Sequence, residues 1–217
     1  MARKINKEYL LEFLEAMIPG DVLSYDPKLF PLLREIIEEQ ADAQIRRNAC
    51  FQMGKLLRRS MDVEYCRFFL ARLEQETDKY VLADMLKGLG ELTLPPEMGI
   101  DPIIALTRHE NWMIRHQAIA ALKASNTDAS RAAARSWAGQ ADEKTYRFEL
   151  VYAHAALSQI GTAEDVAFLE KHANSRIQDV KSSARYAIDR IQRRENGAEN
   201  KPVSAIKKFF RKSQKKT

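Results

Sequence analysis

The sequence predicts an all-α fold, a right-handed α-α superhelix of about five stacked helical hairpins with one capping helix in front. Three observations carry this. Gly and Pro are scarce, eight and seven in 217 residues, while Ala, Leu, Glu, Lys, Arg and Gln abound, which favours helix throughout. A segment with apolar or small residues at fixed offsets recurs five times. A second periodic apolar segment precedes each recurrence and completes a hairpin.

The recurring segment starts at Ile45, Val81, Ile114, Glu149 and Val180, at intervals of 36, 33, 35 and 31 residues. Offset +4 is Ala49, Met85, Ala118, Ala153 and Ala184, and offset +8 is Met53, Leu89, Leu122, Leu157 and Ile188. At about 100° per residue, offsets 0, +4, +8 and +11 fall on one side of a helix and predict a single buried stripe. The repeated Ala lets the next helix approach closely, as stacking requires at every layer. Glu149 is the misfit at offset 0, where Phe148 or Leu150 is expected to supply the apolar contact instead.

The preceding segments run over 27–40, 61–76, 100–109, 127–140 and 162–174. Polar or Gly-containing breaks separate them, at Asp26-Pro27, Asn126-Thr127-Asp128, Gly161-Thr162 and Asn174-Ser175, with Leu94-Pro95-Pro96 the firmest. A helix over about 7–17 is expected to cover the open apolar end of the stack. The composition shifts after Glu195, so residues 1–195 are read as the repeat domain and 196–217 as a linker with a basic tail.

Ile45-Arg46-x-x-Ala49 and Ile114-Arg115-x-x-Ala118, preceded closely by Asp42 and Asn111, resemble HEAT repeats and the shorter HEAT-like units of the phycobilisome-lyase type, with Val180-Lys181-x-x-Ala184 a weaker copy. The resemblance covers about residues 27–192. It implies that the basic residue after the anchor bonds a neighbouring turn and builds a ladder through the stack. Leu82 and Leu150 replace that residue in the second and fourth units and would interrupt the ladder. The resemblance implies a fold and a style of binding, and no single activity.

Composition excludes several classes. Hydrophobic residues make 45% of the chain and charged residues 30%, enough for a sizeable core and unlike a disordered chain. Cys50 and Cys66 show no disulfide framework or zinc-ligand spacing and read as reduced, buried thiols. No secretory signal or transmembrane run is evident, so a cytoplasmic location is expected. The net charge of +5 is uneven, because residues 201–217 hold seven basic side chains and no acid, which leaves the first 200 residues at −2.

No catalytic motif stands out, and His109, His116, His154 and His172 lack metal-ligand spacing and read as surface or helix-end residues. No cofactor is implied. Alkylation-repair DNA glycosylases are similar in architecture and pair a Trp with an Asp one turn away, but Trp112 is followed at that distance by His116, which cannot stabilise a cationic nucleotide. A lyase or glycosylase is therefore the least favoured alternative, and Trp112 is read as a helix-start packing residue.

The second helix of each hairpin lines the concave face in this architecture. Its residues opposite the buried stripe, Arg47, Phe51, Arg58, Lys87, His116, Lys123 and Tyr186, form a candidate partner-binding ridge in which basic residues outnumber acids. The tail can form a short basic amphipathic helix, with Phe209 and Phe210 among Lys207, Lys208, Arg211 and Lys212. A protein partner held by the concave face is the leading expectation, with nucleic acid the alternative and an anionic membrane surface a further target for the tail.

Overall fold

A computed structural model describes residues 6–197. Every regular element among them is helical. The N-terminal helix α1 (Lys7–Ala16) is followed by five hairpins: α2 (Leu29–Glu39) with α3 (Ala43–Ser60), α4 (Val63–Arg72) with α5 (Lys79–Leu89), α6 (Asp101–Leu106) with α7 (Trp112–Ala121), α8 (Asp128–Ala138) with α9 (Arg147–Ile160), and α10 (Val166–Glu170) with α11 (Gln178–Glu195). The second helices α3, α5, α7, α9 and α11 pack in sequence against one another, each backed by its own hairpin partner. The chain is an α-solenoid.

Local chemistry fixes the helix starts. Asp42, Asp62, Asp78 and Asn111 each accept hydrogen bonds from backbone N–H groups of the first turn, satisfying donors that a helix cannot pair internally. The predicted stripe lies in the core except at Ile45 and Ile188, which are partly buried against it. Ala49, Met53, Val81, Met85, Leu89, Ala118, Leu122, Ala153, Leu157, Val180 and Ala184 are all buried. Helix α1 packs on α2 and α3, where Lys7 bonds Glu35 and Glu39 and the Asn48 amide donates to the Leu14 carbonyl. Gln52, fully buried, pins the following loop by bonding the Leu23 N–H and the Asp21 carbonyl.

The tightest helix crossings lie outside the Ala positions. A Cβ added at Gly54 would stand 3.3 Å from the Gly88 Cα, and one added at Gly90 would stand 3.2 Å from the Ala121 Cα. In both cases offset +9 of one second helix meets offset +7 of the next, and Ala156 and Ala187 continue the small residues at +7. Backbone-to-backbone packing of this kind holds α3, α5 and α7 at short range.

Two first helices are markedly shorter than the periodicity predicts: α6 keeps six residues of the 100–109 segment, and α10 five of 162–174. The 162–174 segment becomes a 3₁₀ turn, Ala163–Asp165, leading into the single turn and a half of α10. Asp165 is the cause: it is fully buried, accepts from the Thr162 N–H, and is ion-paired to Arg135 of α8, which commits the segment's first turn to α8. The tail residues Lys207, Lys208, Phe209, Phe210, Arg211 and Lys212 lie outside the described residues.

Candidate functional site

The site is best built from Glu149. This carboxylate occupies offset 0 of its repeat, where its counterparts carry Val81, Ile114 and Val180, yet it is buried, 3% exposed. Leu150 supplies the apolar contact, as one of the two expected alternatives, whereas Phe148 is 55% exposed. Glu149 Oε1 accepts from Arg115 Nε at 2.8 Å, lies 2.8 Å from its Nη2, and stands 3.1 Å from His116 Nε2. A carboxylate only accepts, so His116 presents its N–H there. Burial raises the Glu149 carboxyl, but the Arg115 hydrogen bond, a backbone bond and His116 outweigh it and hold the group below the ordinary carboxylate value.

Arg115 also donates to the His109 and Glu110 carbonyls, and the same design stands two units earlier. Arg46 bonds both oxygens of Glu76, at 3.0 and 2.9 Å, and donates to the Gln40 and Ala41 carbonyls. These are two of the three units in which the sequence places the ladder's basic residue, the third being the weaker copy at Lys181. Leu82 and Leu150, at the interrupted rungs, are buried apolar contacts. Arg147 bridges the fourth interval from a different offset, with its Nε 2.6 Å from Asp179.

Around His116 stand three aromatic rings. The Trp112, Phe148 and Tyr152 centroids lie 5.5, 5.8 and 5.3 Å from the imidazole. Trp112 is 63% exposed, so it is a helix-start residue whose ring largely faces solvent while one side rests on His116. Arg147 lies over Phe148 at 5.5 Å, and Arg47 and Lys79 lie over the exposed Tyr80 ring at 5.7 and 5.1 Å. Arg47, Tyr80, Trp112 and Phe148 thus line the N-terminal ends of four consecutive second helices.

Eleven residues after each of these stand Arg58, Glu91, Lys123 and Gln159. Eleven steps of about 100° leave only about 20° of rotation, so Arg47 shares a face of α3 with Arg58 and Phe148 a face of α9 with Gln159, whereas Glu91 and Lys123 lie just past the ends of α5 and α7. Arg58, Glu91, Lys123 and Gln159 also line a single cavity of about 280 Å³ with Gly90, Leu92 and Thr93. The larger cavity, about 350 Å³, lies between first helices α2 and α4, where Arg34 is balanced by Glu38 at 3.3 Å and Glu64 at 3.6 Å.

The predicted ridge is therefore divided. Arg58 and Lys123 meet at the cavity, and Lys87 acts on Glu91 beside it. Arg47 stands apart, paired at 2.5 Å with Asp84, an acid at offset +3 that the offset selection passed over. Phe51 is half-buried beneath Lys55, whose Nζ lies 5.2 Å from the ring centroid, and Tyr186 is exposed on α11. His116 is not a surface residue: it is buried beneath the aromatic rings.

Two of the other three histidines are likewise buried and not at the surface. His109 is a helix-end residue whose Nδ1 accepts from the Asn111 N–H, but His154 and His172 are also buried. His172 reaches Glu143 at 2.7 Å and the Ala138 carbonyl at 3.0 Å, tying α8 and its following loop to the last hairpin. Among the described residues no group of His, Cys, Asp and Glu is arranged to hold a metal ion, and no helix is long and apolar enough to cross a membrane. The Glu149 carboxylate near Trp112 is already engaged, through Oε1, by Arg115 and His116.

Comparison with known proteins identifies the class. The family pattern described as HEAT repeats matches residues 66–155, from α4 into α9. Two solved structures with the same architecture are an engineered protein and a designed armadillo repeat protein. The first is 15% identical at a TM-score of 0.54, covering 87% of this chain and 97% of its own. The second is 15% identical at a TM-score of 0.54, covering 85% of this chain and 87% of its own. No curated protein matches the chain in sequence. Residues 66–155 are thus similar to HEAT repeats, and the chain has the α-solenoid fold of these repeat arrays.

Proposed function

We propose that the chain is a non-catalytic scaffold that captures a protein partner on the exposed face of its second helices. One observation carries this reading: Trp112 and Phe148 hold large aromatic surfaces in solvent on top of the buried Arg115–Glu149–His116 cluster. An exposed ring stays hydrated and gains little from the fold, whereas two such rings on a rigid base can release water together when a partner covers them. Aromatic residues beside Arg are also the groups that dominate binding energy at protein interfaces. The free Cys50 and Cys66 thiols support a reducing, cytoplasmic setting. On this reading residues 1–195 form the binding unit and the basic tail is an electrostatic accessory.

The test is affinity capture with four proteins, each with and without nuclease: the full chain, Trp112→Ala, Phe148→Ala, and a chain lacking residues 201–217. The reading expects nuclease-resistant capture of a protein that both aromatic variants lose, with thermal melting unchanged. Capture that disappears on nuclease treatment and falls steeply with salt would identify a nucleic-acid-binding solenoid instead.

A further inference from the structure

We infer that the cavity at the C-terminal ends of α3, α5, α7 and α9 receives the carboxylates of an acidic peptide segment, an inference that rests on the scaffold reading and specifies its partner. Three cations act there on one resident acid, and a fourth shares the lining. Glu91 Oε2 lies 3.0 Å from Lys55 and 3.3 Å from Arg58. Burial raises the Glu91 carboxyl, but the Lys55 hydrogen bond and the fields of Lys55, Arg58 and Lys87 hold it below its ordinary value. Lys123, which also lines the cavity, pairs with no carboxylate among the described residues. The cluster is left with an excess of positive charge, and Thr93 and Gln159 add neutral donors to the same lining.

The walls are held in place before any ligand arrives. The Leu94 N–H donates to the Ala124 carbonyl at 2.7 Å, joining the α5–α6 connection to the end of α7, and the Gly90–Ala121 contact locks α5 to α7 beneath. Carboxylates suit the lining better than a phosphate dianion, since Glu91 would repel the second charge. The chain's own tail is not the occupant: residues 201–217 carry seven cations and no acid.

Geometry adds a spacing rule. Trp112 opens α7 and Lys123 lies in the 3₁₀ turn Leu122–Ala124 that follows it, eleven residues along, or about 16 Å at a rise of about 1.5 Å. An extended segment crosses that distance in about five residues. The preferred ligand therefore carries an apolar or aromatic anchor about five residues from one or more Asp or Glu side chains.

Selection of short random peptides displayed against the full-length protein tests this. The expected winners combine acidic residues with an apolar anchor at that spacing. The double variant Lys87→Glu with Lys123→Glu should lose the acidic preference but retain the apolar one, and bind a labelled winning peptide at least about tenfold more weakly in fluorescence anisotropy. Lys87→Gln with Lys123→Gln gives the same direction without new acids, and circular dichroism melts of all variants confirm folding. Winners without acidic residues, unchanged affinity in the folded lysine variants, or displacement of the acidic peptide more readily by its phosphoserine counterpart or by oligouridylate would overturn the inference. Acidic winners that still bind Trp112→Ala and Phe148→Ala would support the cavity while removing the aromatic platform from the scaffold reading. The absence of any selected peptide would overturn both.

Discussion

Glu149 of α9 accepts Arg115 of α7 at 2.8 Å from a position that its repeat partners give to Val and Ile. The pair crosses the central interface between two units and, with His116, forms the base on which Trp112 and Phe148 rest. Removing one partner strands the other. Glu149→Ala is expected to cost about 2–4 kcal/mol in urea unfolding, because Arg115 is left without its carboxylate in a largely buried setting. Asp179→Ala, which breaks the more exposed pair with Arg147, is expected to cost less than about 1 kcal/mol. Replacing both central partners, Arg115→Met with Glu149→Leu, should cost less than Glu149→Ala alone.

Stability should fall with pH in two stages. Burial, with the neighbouring His172 adding to it, lowers the His154 pKa to about 3, and the ring is fully buried with its Nδ1 2.9 Å from Ser183 and its Nε2 without a partner. The unfolded chain protonates this ring below about 6.5. Unfolding thus takes up a proton between those values, and stability declines as pH falls through that window at up to about 1.4 kcal/mol per unit. Glu76, Glu91, Glu143 and Glu149 are all held below the ordinary carboxylate value, so their contributions are complete above about 4.3 and are lost below it. Chemical denaturation across pH should show the first stage abolished in His154→Gln and the second retained.

The Gly54–Gly88 crossing should tolerate no branched side chain. Gly54→Val adds atoms where even a Cβ meets the Gly88 backbone at 3.3 Å. Separation of α3 from α5 is expected to cost about 1–3 kcal/mol, read as a lowered melting temperature.

Neither thiol should react in the folded protein. Burial raises the Cys50 thiol far above its ordinary value and pushes Cys66 up to about 11. Ellman's reagent at pH 8 should therefore detect two thiols only after denaturant is added.

The repeat periodicity reads directly from the sequence because a stripe at offsets 0, +4 and +8 is a property of one helix with itself. Relations between helices are less legible. Glu149 looks like a flaw in that stripe until Arg115, 34 residues earlier, is seen to meet it. The basic ridge changes for the same reason: Asp84 and Glu91 stand at offsets outside the selected face but beside the cations of the preceding helix. The aromatic row did leave a signal, since Tyr80, Trp112 and Phe148 all precede their anchors by one or two residues. Position alone does not show that they stay exposed. For Trp112 and Phe148, exposure follows from His116 filling the space beneath them.

Hydrogen–deuterium exchange of the scaffold bound to its captured partner tests the central claim most directly. Binding on the second-helix face predicts new protection at the N-terminal turns of α7 and α9, around Trp112 and Phe148, and at residues 90–93 and 122–124. Protection confined to the first helices α2, α4 and α8, with α7 and α9 unchanged, would contradict it.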